Sequence, residues 1–190
     1  MNTPNKLTLA RMILSPVFLL LMLVPLTHRY LFAAVVFLAA SVTDFLDGKL
    51  ARKHNQVTVL GKLTDPVADK MLITAALLAF LRLGWCDIWV VMIILTREFL
   101  VTSIRLVTGA QGVVIPANLW GKLKTASQMT FTAVILLLAE GRAWLGWFPE
   151  DGGFSFPLLS NALLWITAAL TVISGVTYVV QGCKVIDFKK

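Results

Sequence analysis

The chain has 190 residues, 58% hydrophobic and 14% charged, with a mean hydropathy of +0.82 and a formal net charge of +7. That length is one domain, and the composition lies far from a soluble average and close to a polytopic membrane protein. The positive charge does not mark a nucleic-acid binder: the basic residues are spread through loops, with no basic helix or aromatic platform, and positive loops facing the cytoplasm account for them.

The sequence predicts an all-α polytopic membrane protein: six transmembrane helices at roughly 12–27, 30–48, 66–83, 87–107, 120–140 and 158–181, preceded by a short N-terminal interfacial helix. Residues 4–11, Pro-Asn-Lys-Leu-Thr-Leu-Ala-Arg, are short and mixed, suiting a helix at the headgroups with Leu7 and Leu9 toward lipid. Lys6 and Arg11 before an apolar run resemble a signal peptide, but no small-x-small cleavage site follows, so an uncleaved first span is expected. The second span ends in Asp44 and Asp47. The hydrophilic run 51–58 after it supplies Arg52 and Lys53, which with Lys62 counter carboxylates and attract phosphate. Asp65 precedes Pro66, which predicts a helix start there with Asp65 at or beside the N-cap. Trp85 and Trp89 read as outer interface anchors.

The fourth span carries Arg97, Glu98 and Arg105. The arginines are eight apart and share a helical face. One reading pairs Arg97 with Glu98 or an aspartate for structure. The other, favoured because Lys122 and Lys124 follow in the next connection, makes Arg97 and Arg105 anion ligands, since the guanidinium fork suits phosphate. The fifth span ends at Glu140-Gly-Arg142, an outer loop follows, and the sixth ends near Tyr178 before a lysine-bearing tail. No repeat or second domain is visible, so residues 1–190 form one domain. Cys86 and Cys183 fall near opposite faces, which argues against a disulfide. With the N-terminus inside, 14 of the 17 lysines and arginines lie on the cytoplasmic side, leaving Arg29, Arg82 and Arg142 outside.

The chemistry concentrates between Asp44 and Asp69. A carboxylate at the centre of a bilayer costs about 2.5–3.5 kcal/mol on insertion scales. Four of them, Asp44, Asp47, Asp65 and Asp69, must therefore line a wet or cationic cavity. Asp44, Asp47, Gly48 and Ala51 share one helical face, as do Gly61, Asp65 and Asp69. Facing pairs make an all-oxygen site of the kind that Mg²⁺ or Mn²⁺ prefers, beside a basic cluster able to hold a second anion. Phosphoryl transfer from a lipid-linked diphosphate to a phosphate-bearing alcohol meets these demands.

The run Asp44-x2-Asp47-Gly48-x2-Ala51-Arg52-x8-Gly61-x3-Asp65-x3-Asp69 resembles the signature of the CDP-alcohol phosphotransferase family, with every position filled. Pro4-Asn5-x-Leu7-Thr8-x2-Arg11, Thr96-Arg97-Glu98-Phe99 with Arg105, Gly121-Lys122-x-Lys124-Thr125 and, more weakly, Ser174-Gly175-x2-Tyr178 resemble the bacterial branch that uses sn-glycerol 3-phosphate. The resemblance implies that CDP-diacylglycerol and glycerol 3-phosphate give phosphatidylglycerophosphate and CMP, in a homodimer holding two divalent cations, Mg²⁺ or Mn²⁺. It implies Asp44, Asp47 and Asp65 as metal ligands, and Asp69 as general base and further ligand. Asn5, Thr8, Asp47, Gly48, Ala51, Arg52, Thr58 and Gly61 become CDP-diacylglycerol contacts, with Gly48 and Ala51 small enough for close nucleotide approach. Arg97, Arg105, Lys122 and Lys124 become glycerol 3-phosphate ligands. Three other readings stand beside it: a sister enzyme using phosphatidylglycerol, inositol phosphate or serine; a cation or proton transporter; and a non-catalytic membrane scaffold.

Overall fold

The computed structural model describes residues 3–54, 59–113, 116, 118–148 and 155–185, and the side chains among them except at 3–7, 44–54, 59–65, 69, 110 and 184–185. These form six helices and no strands: α1 Thr3–Leu23, α2 Arg29–His54, α3 Val59–Arg82, α4 Ile88–Ala110, α5 Leu119–Leu145 and α6 Phe156–Val185. Each coincides with one predicted span. Among the described residues α6, over Phe156–Cys183, is long and apolar enough to cross a membrane, and Thr8–Leu23 and Arg29–Thr43 are shorter apolar segments.

Two expectations about helix ends are corrected. The interfacial helix at 4–11 is not a separate element, because α1 runs unbroken from Thr3 through Pro16 to Leu23. The reason lies in packing: Thr8, Arg11, Ser15, Phe18 and Met22 recur every three or four residues and are all buried, so one continuous stripe faces α2 and α3. Nor does a helix start at Asp65. Helix α3 begins at Val59 and carries Pro66 inside it, as tertiary packing against α1 outweighs the local breaking tendency of proline.

Helix α1 packs along both α2 and α3, which among the described residues touch each other only briefly; α6 packs along both α4 and α5. The two groups meet chiefly where α2 lies on α5, and α3 on α4. Alanines 33, 34, 40, 75, 76 and 79 are buried and let the helices approach closely. Larger side chains, among them Phe18, Phe37, Leu77, Phe80, Ile94 and Leu164, fill the remaining space. Leu20, Val35, Leu38, Phe99, Leu106, Trp165 and Val176 are instead exposed, an outward apolar surface unlike that of a soluble monomer.

The turn between α3 and α4 corrects the reading of Trp85 as an interface anchor. Trp85 is 6% exposed and meets Tyr30 at 5.2 Å, Phe80 at 5.9 Å and Phe156 edge-on at 4.9 Å between ring centroids. Its carbonyl accepts a 2.9 Å hydrogen bond from the Ser160 hydroxyl. Trp89, in contrast, is 66% exposed. Asp87 caps α4 by accepting from the Trp89 amide at 3.0 Å. Both cysteines are free, Cys86 buried and Cys183 exposed.

Candidate active site

Short connections force successive helices to run in opposite directions, so the C-terminal half of α2, the N-terminal half of α3, the end of α4, the start of α5 and the end of α6 gather at one end of the bundle. Asp44 and Asp47 therefore lie on α2, and Asp65 and Asp69 on α3, at that end. Their side chains lie outside the described residues, as do those of Asn5, Gly48, Ala51, Arg52 and Gly61; Thr58 lies outside altogether. Among the described residues no group of three or more His, Cys, Asp or Glu could hold a metal.

Helix α1 brings polar groups to the same end. Thr8, Arg11 and Ser15 are buried, at 5%, 5% and 1% exposure, on the face that packs against α2 and α3. The Ser15 hydroxyl donates to the Arg11 carbonyl at 2.9 Å. A cavity of about 650 Å³ opens between α1, α3 and α4, bounded by Ser15, Pro66, Lys70, Thr74, Phe99 and Ser103. It is largely apolar, and Lys70, the neighbour of Asp69 in the chain, forms part of its polar edge.

The best-defined part of the site joins α4, α5 and α6. Glu98 Oε1 accepts from Arg97 Nη1 at 3.1 Å and from Lys124 Nζ of α5. Arg97 Nη2 donates to the Ser174 hydroxyl of α6 at 2.9 Å, and the guanidinium lies 5.7 Å from the centroid of the Tyr178 ring. The side chains of Arg97 and Glu98 are each 13% exposed and that of Lys124 4%, so the three charges are held largely out of water. Arg97 Nε is buried as well and has no hydrogen-bond partner among the described residues.

Asn118 organises the start of α5. Its Oδ1 accepts from the Gly121 amide at 2.7 Å, capping the helix, and its Nδ2 donates to the Thr177 hydroxyl at 2.6 Å. The Asn118 amide donates to the Tyr178 hydroxyl at 3.4 Å. Two glycines make room: a Cβ at Gly121 would lie 3.2 Å from Tyr178 Cε2, and one at Gly175 would lie 3.0 Å from Arg97 Cγ.

Of the four predicted acceptor ligands, Arg97 and Lys124 thus meet on one carboxylate, whereas Arg105 and Lys122 are exposed on α4 and α5 near the same end. Of the two sequence readings of Arg97, the pairing with Glu98 is observed. Arg11, Glu98, Ser174 and Tyr178 stand in the quoted motifs without an assigned ligand role, and Asn118 is not singled out by the sequence. A periodic signal does exist for some of them. Lys124, Gln128 and Thr132 on α5, and Thr167, Thr171, Ser174 and Tyr178 on α6, are buried polar positions at helical spacing within otherwise apolar helices.

Residues 1–173 match the family model described as CDP-alcohol phosphatidyltransferase. The chain is 39% identical over 189 residues, covering 93% of each chain, to a Bacillus subtilis protein named CDP-diacylglycerol–glycerol-3-phosphate 3-phosphatidyltransferase. Proteins of the same name from Rickettsia typhi (36% identical over 183 residues, 96% of this chain and 97% of that one) and Pseudomonas fluorescens (35% over 184 residues, 94% and 88%) are also similar.

Proposed function

The chain belongs to the CDP-alcohol phosphatidyltransferase family, whose members are generally divalent-metal dependent, and we propose that it transfers the phosphatidyl group of CDP-diacylglycerol to the 1-hydroxyl of sn-glycerol 3-phosphate. The observation that carries the choice of acceptor is the cluster at the end of α4, α5 and α6. Arg97 is held between Glu98 and Ser174, with Arg105 and Lys122 exposed nearby, a set of cations suited to a phosphorylated alcohol and superfluous for serine. The names of the similar bacterial proteins agree with that choice.

In this reading Asp44, Asp47, Asp65 and Asp69 hold two divalent cations, Mg²⁺ or Mn²⁺. Such ions would neutralise the diphosphate and stabilise charge on the attacking and leaving oxygens. Asn5, Thr8, Asp47, Gly48, Ala51, Arg52, Thr58 and Gly61 bind the CDP-diacylglycerol headgroup, and the cavity between α1, α3 and α4 offers apolar walls to its lipid part. Arg97, Arg105, Lys122 and Lys124 bind the acceptor phosphate and aim the 1-hydroxyl. Asp69 takes the hydroxyl proton as the oxygen forms its bond to the phosphorus bearing diacylglycerol; the bond from that phosphorus to the bridging oxygen breaks, and CMP leaves with its electron pair. A carboxylate with an ordinary pKa of about 3.9 is a weak base at neutral pH. Positioning and charge neutralisation therefore carry most of the barrier reduction.

The six helices span the bacterial cytoplasmic membrane, with both termini and the site on the cytoplasmic side, and the protein is a homodimer. The outward apolar side chains, α6 and the distribution of lysines and arginines support the membrane placement. The decisive experiment is an acceptor panel. Purified protein with Mg²⁺ and CDP-diacylglycerol is offered glycerol 3-phosphate, phosphatidylglycerol, inositol phosphate or serine. CMP release with glycerol 3-phosphate alone is expected. Release with another acceptor overturns the reading of the cationic cluster, and no release with any of them overturns the enzyme.

A further inference from the structure

Glu98 is the sole acidic residue of α4, and its carboxylate sits between cations on two helices. An anion there is unexpected. If Arg97 and Lys124 serve only to attract a phosphate, a neighbouring carboxylate weakens that attraction. The geometry gives Glu98 a different task. Arg97 Nη1 is bonded to Glu98 and Nη2 to Ser174, so the guanidinium is tied at both terminal nitrogens, and its stem passes close enough to Gly175 that a Cβ there would lie 3.0 Å from Arg97 Cγ. Lys124, buried on α5, ties down the carboxylate from the other side. The chain Lys124–Glu98–Arg97–Ser174 crosses from α5 through α4 to α6 and fixes a side chain that otherwise has many rotamers.

We propose that Glu98 is a positioning residue for the acceptor: its carboxylate, anchored by Lys124, holds the Arg97 guanidinium in the orientation that receives the phosphate of the alcohol substrate. The inference rests on the reading of Arg97 as an acceptor ligand, and it adds a role for an acidic residue in an anion-binding site. A fixed guanidinium loses less conformational freedom on binding than a mobile one, and this offsets the unfavourable charge of Glu98.

The two possible effects of removing that charge have opposite signs, which makes the test sharp. With CDP-diacylglycerol saturating, Glu98→Gln should raise the KM for glycerol 3-phosphate roughly tenfold or more, as expected for losing a charge-assisted hydrogen bond that orients a ligand. The KM for CDP-diacylglycerol should stay within about twofold of the parent, because that substrate is held elsewhere. Glu98→Asp, which keeps the charge, should recover part of the loss. A KM for glycerol 3-phosphate that falls or does not move in Glu98→Gln overturns the proposal, since a carboxylate that only opposes the phosphate would give that result. Should Glu98→Gln fold poorly, Glu98→Asp, which keeps the charge beside Lys124 on a shorter stem, carries the test: a raised KM for glycerol 3-phosphate is expected, and an unchanged KM overturns the proposal. Arg105→Ala and Lys122→Ala separate the two layers. If they raise the KM for glycerol 3-phosphate and Glu98→Gln does not, the acceptor site stands and the positioning role falls. If none of the three variants moves it, the acceptor site falls and the positioning role with it.

Discussion

Gly175 offers a way to disturb Arg97 without touching a charge. A Cβ at this position would lie 3.0 Å from Arg97 Cγ and 4.0 Å from its Cβ. Carbon atoms prefer separations of about 3.5–4.0 Å, so Gly175→Ala must push the arginine stem by about half an ångström. The stem has little slack, because the guanidinium is bonded at 3.1 Å to Glu98 and at 2.9 Å to Ser174. Either a bond lengthens or α4 moves away from α6. Overpacking of this kind costs about 1–3 kcal/mol, while alanine gains about 1 kcal/mol over glycine in a helix interior. The net change in stability is therefore small, about 0–2 kcal/mol. The effect on the acceptor should be larger in proportion. A hydrogen bond to a charged group contributes about 1.5–3 kcal/mol, and losing half of one already corresponds to a change of about three- to tenfold. CMP release measured against glycerol 3-phosphate concentration, at saturating CDP-diacylglycerol, should show a KM raised by that factor, with tryptophan-fluorescence melting in detergent shifted only slightly. An unchanged KM together with an unchanged melting curve would refute the argument that the close packing of α4 on α6 sets the position of Arg97.

Asp69→Asn should abolish turnover and leave CDP-diacylglycerol binding, measured by isothermal calorimetry in micelles, largely intact; near-normal activity would remove Asp69 from the role of base. Arg105→Ala should raise the KM for glycerol 3-phosphate about tenfold with little change in that for CDP-diacylglycerol, and an unmoved value would break its assignment to the acceptor. Burial, helped by the neighbouring Asp87 charge, pushes the Cys86 thiol from 9.0 up to about 12. Folding therefore favours its protonated form; the associated stability is intact below pH 9 and is lost as pH rises toward 12. Iodoacetamide, which attacks the thiolate, should accordingly modify exposed Cys183 at pH 8 and spare Cys86 until the protein unfolds, a pattern that peptide mass mapping would read.

The six-helix architecture was legible without coordinates because apolar runs of about 20 residues leave the backbone few alternatives to a helix. The aspartate pairs were legible because charge is scarce in such a sequence and their three- and four-residue spacings set which carboxylates share a helix face. Local rules misjudged the helix ends. Pro66 and the mixed segment before residue 12 signal breaks to any reading of adjacent residues, yet α3 and α1 run through them because each has a long partner to pack against. The residue type of Trp85 suggests an interface, and its burial follows from Tyr30 of α2 and Phe156 of α6 converging on it beside its near neighbour Phe80. By itself the sequence determined the six helices, the family signature and the end of the bundle at which most of the charge lies. The tertiary structure alone decided that Glu98 lies between Arg97 and Lys124 and that Ser174 completes the tie. Those residues are separated by up to 77 positions along the chain, and which side chains meet across three helices depends on helix rotation and packing, quantities that spacing within any single helix does not contain.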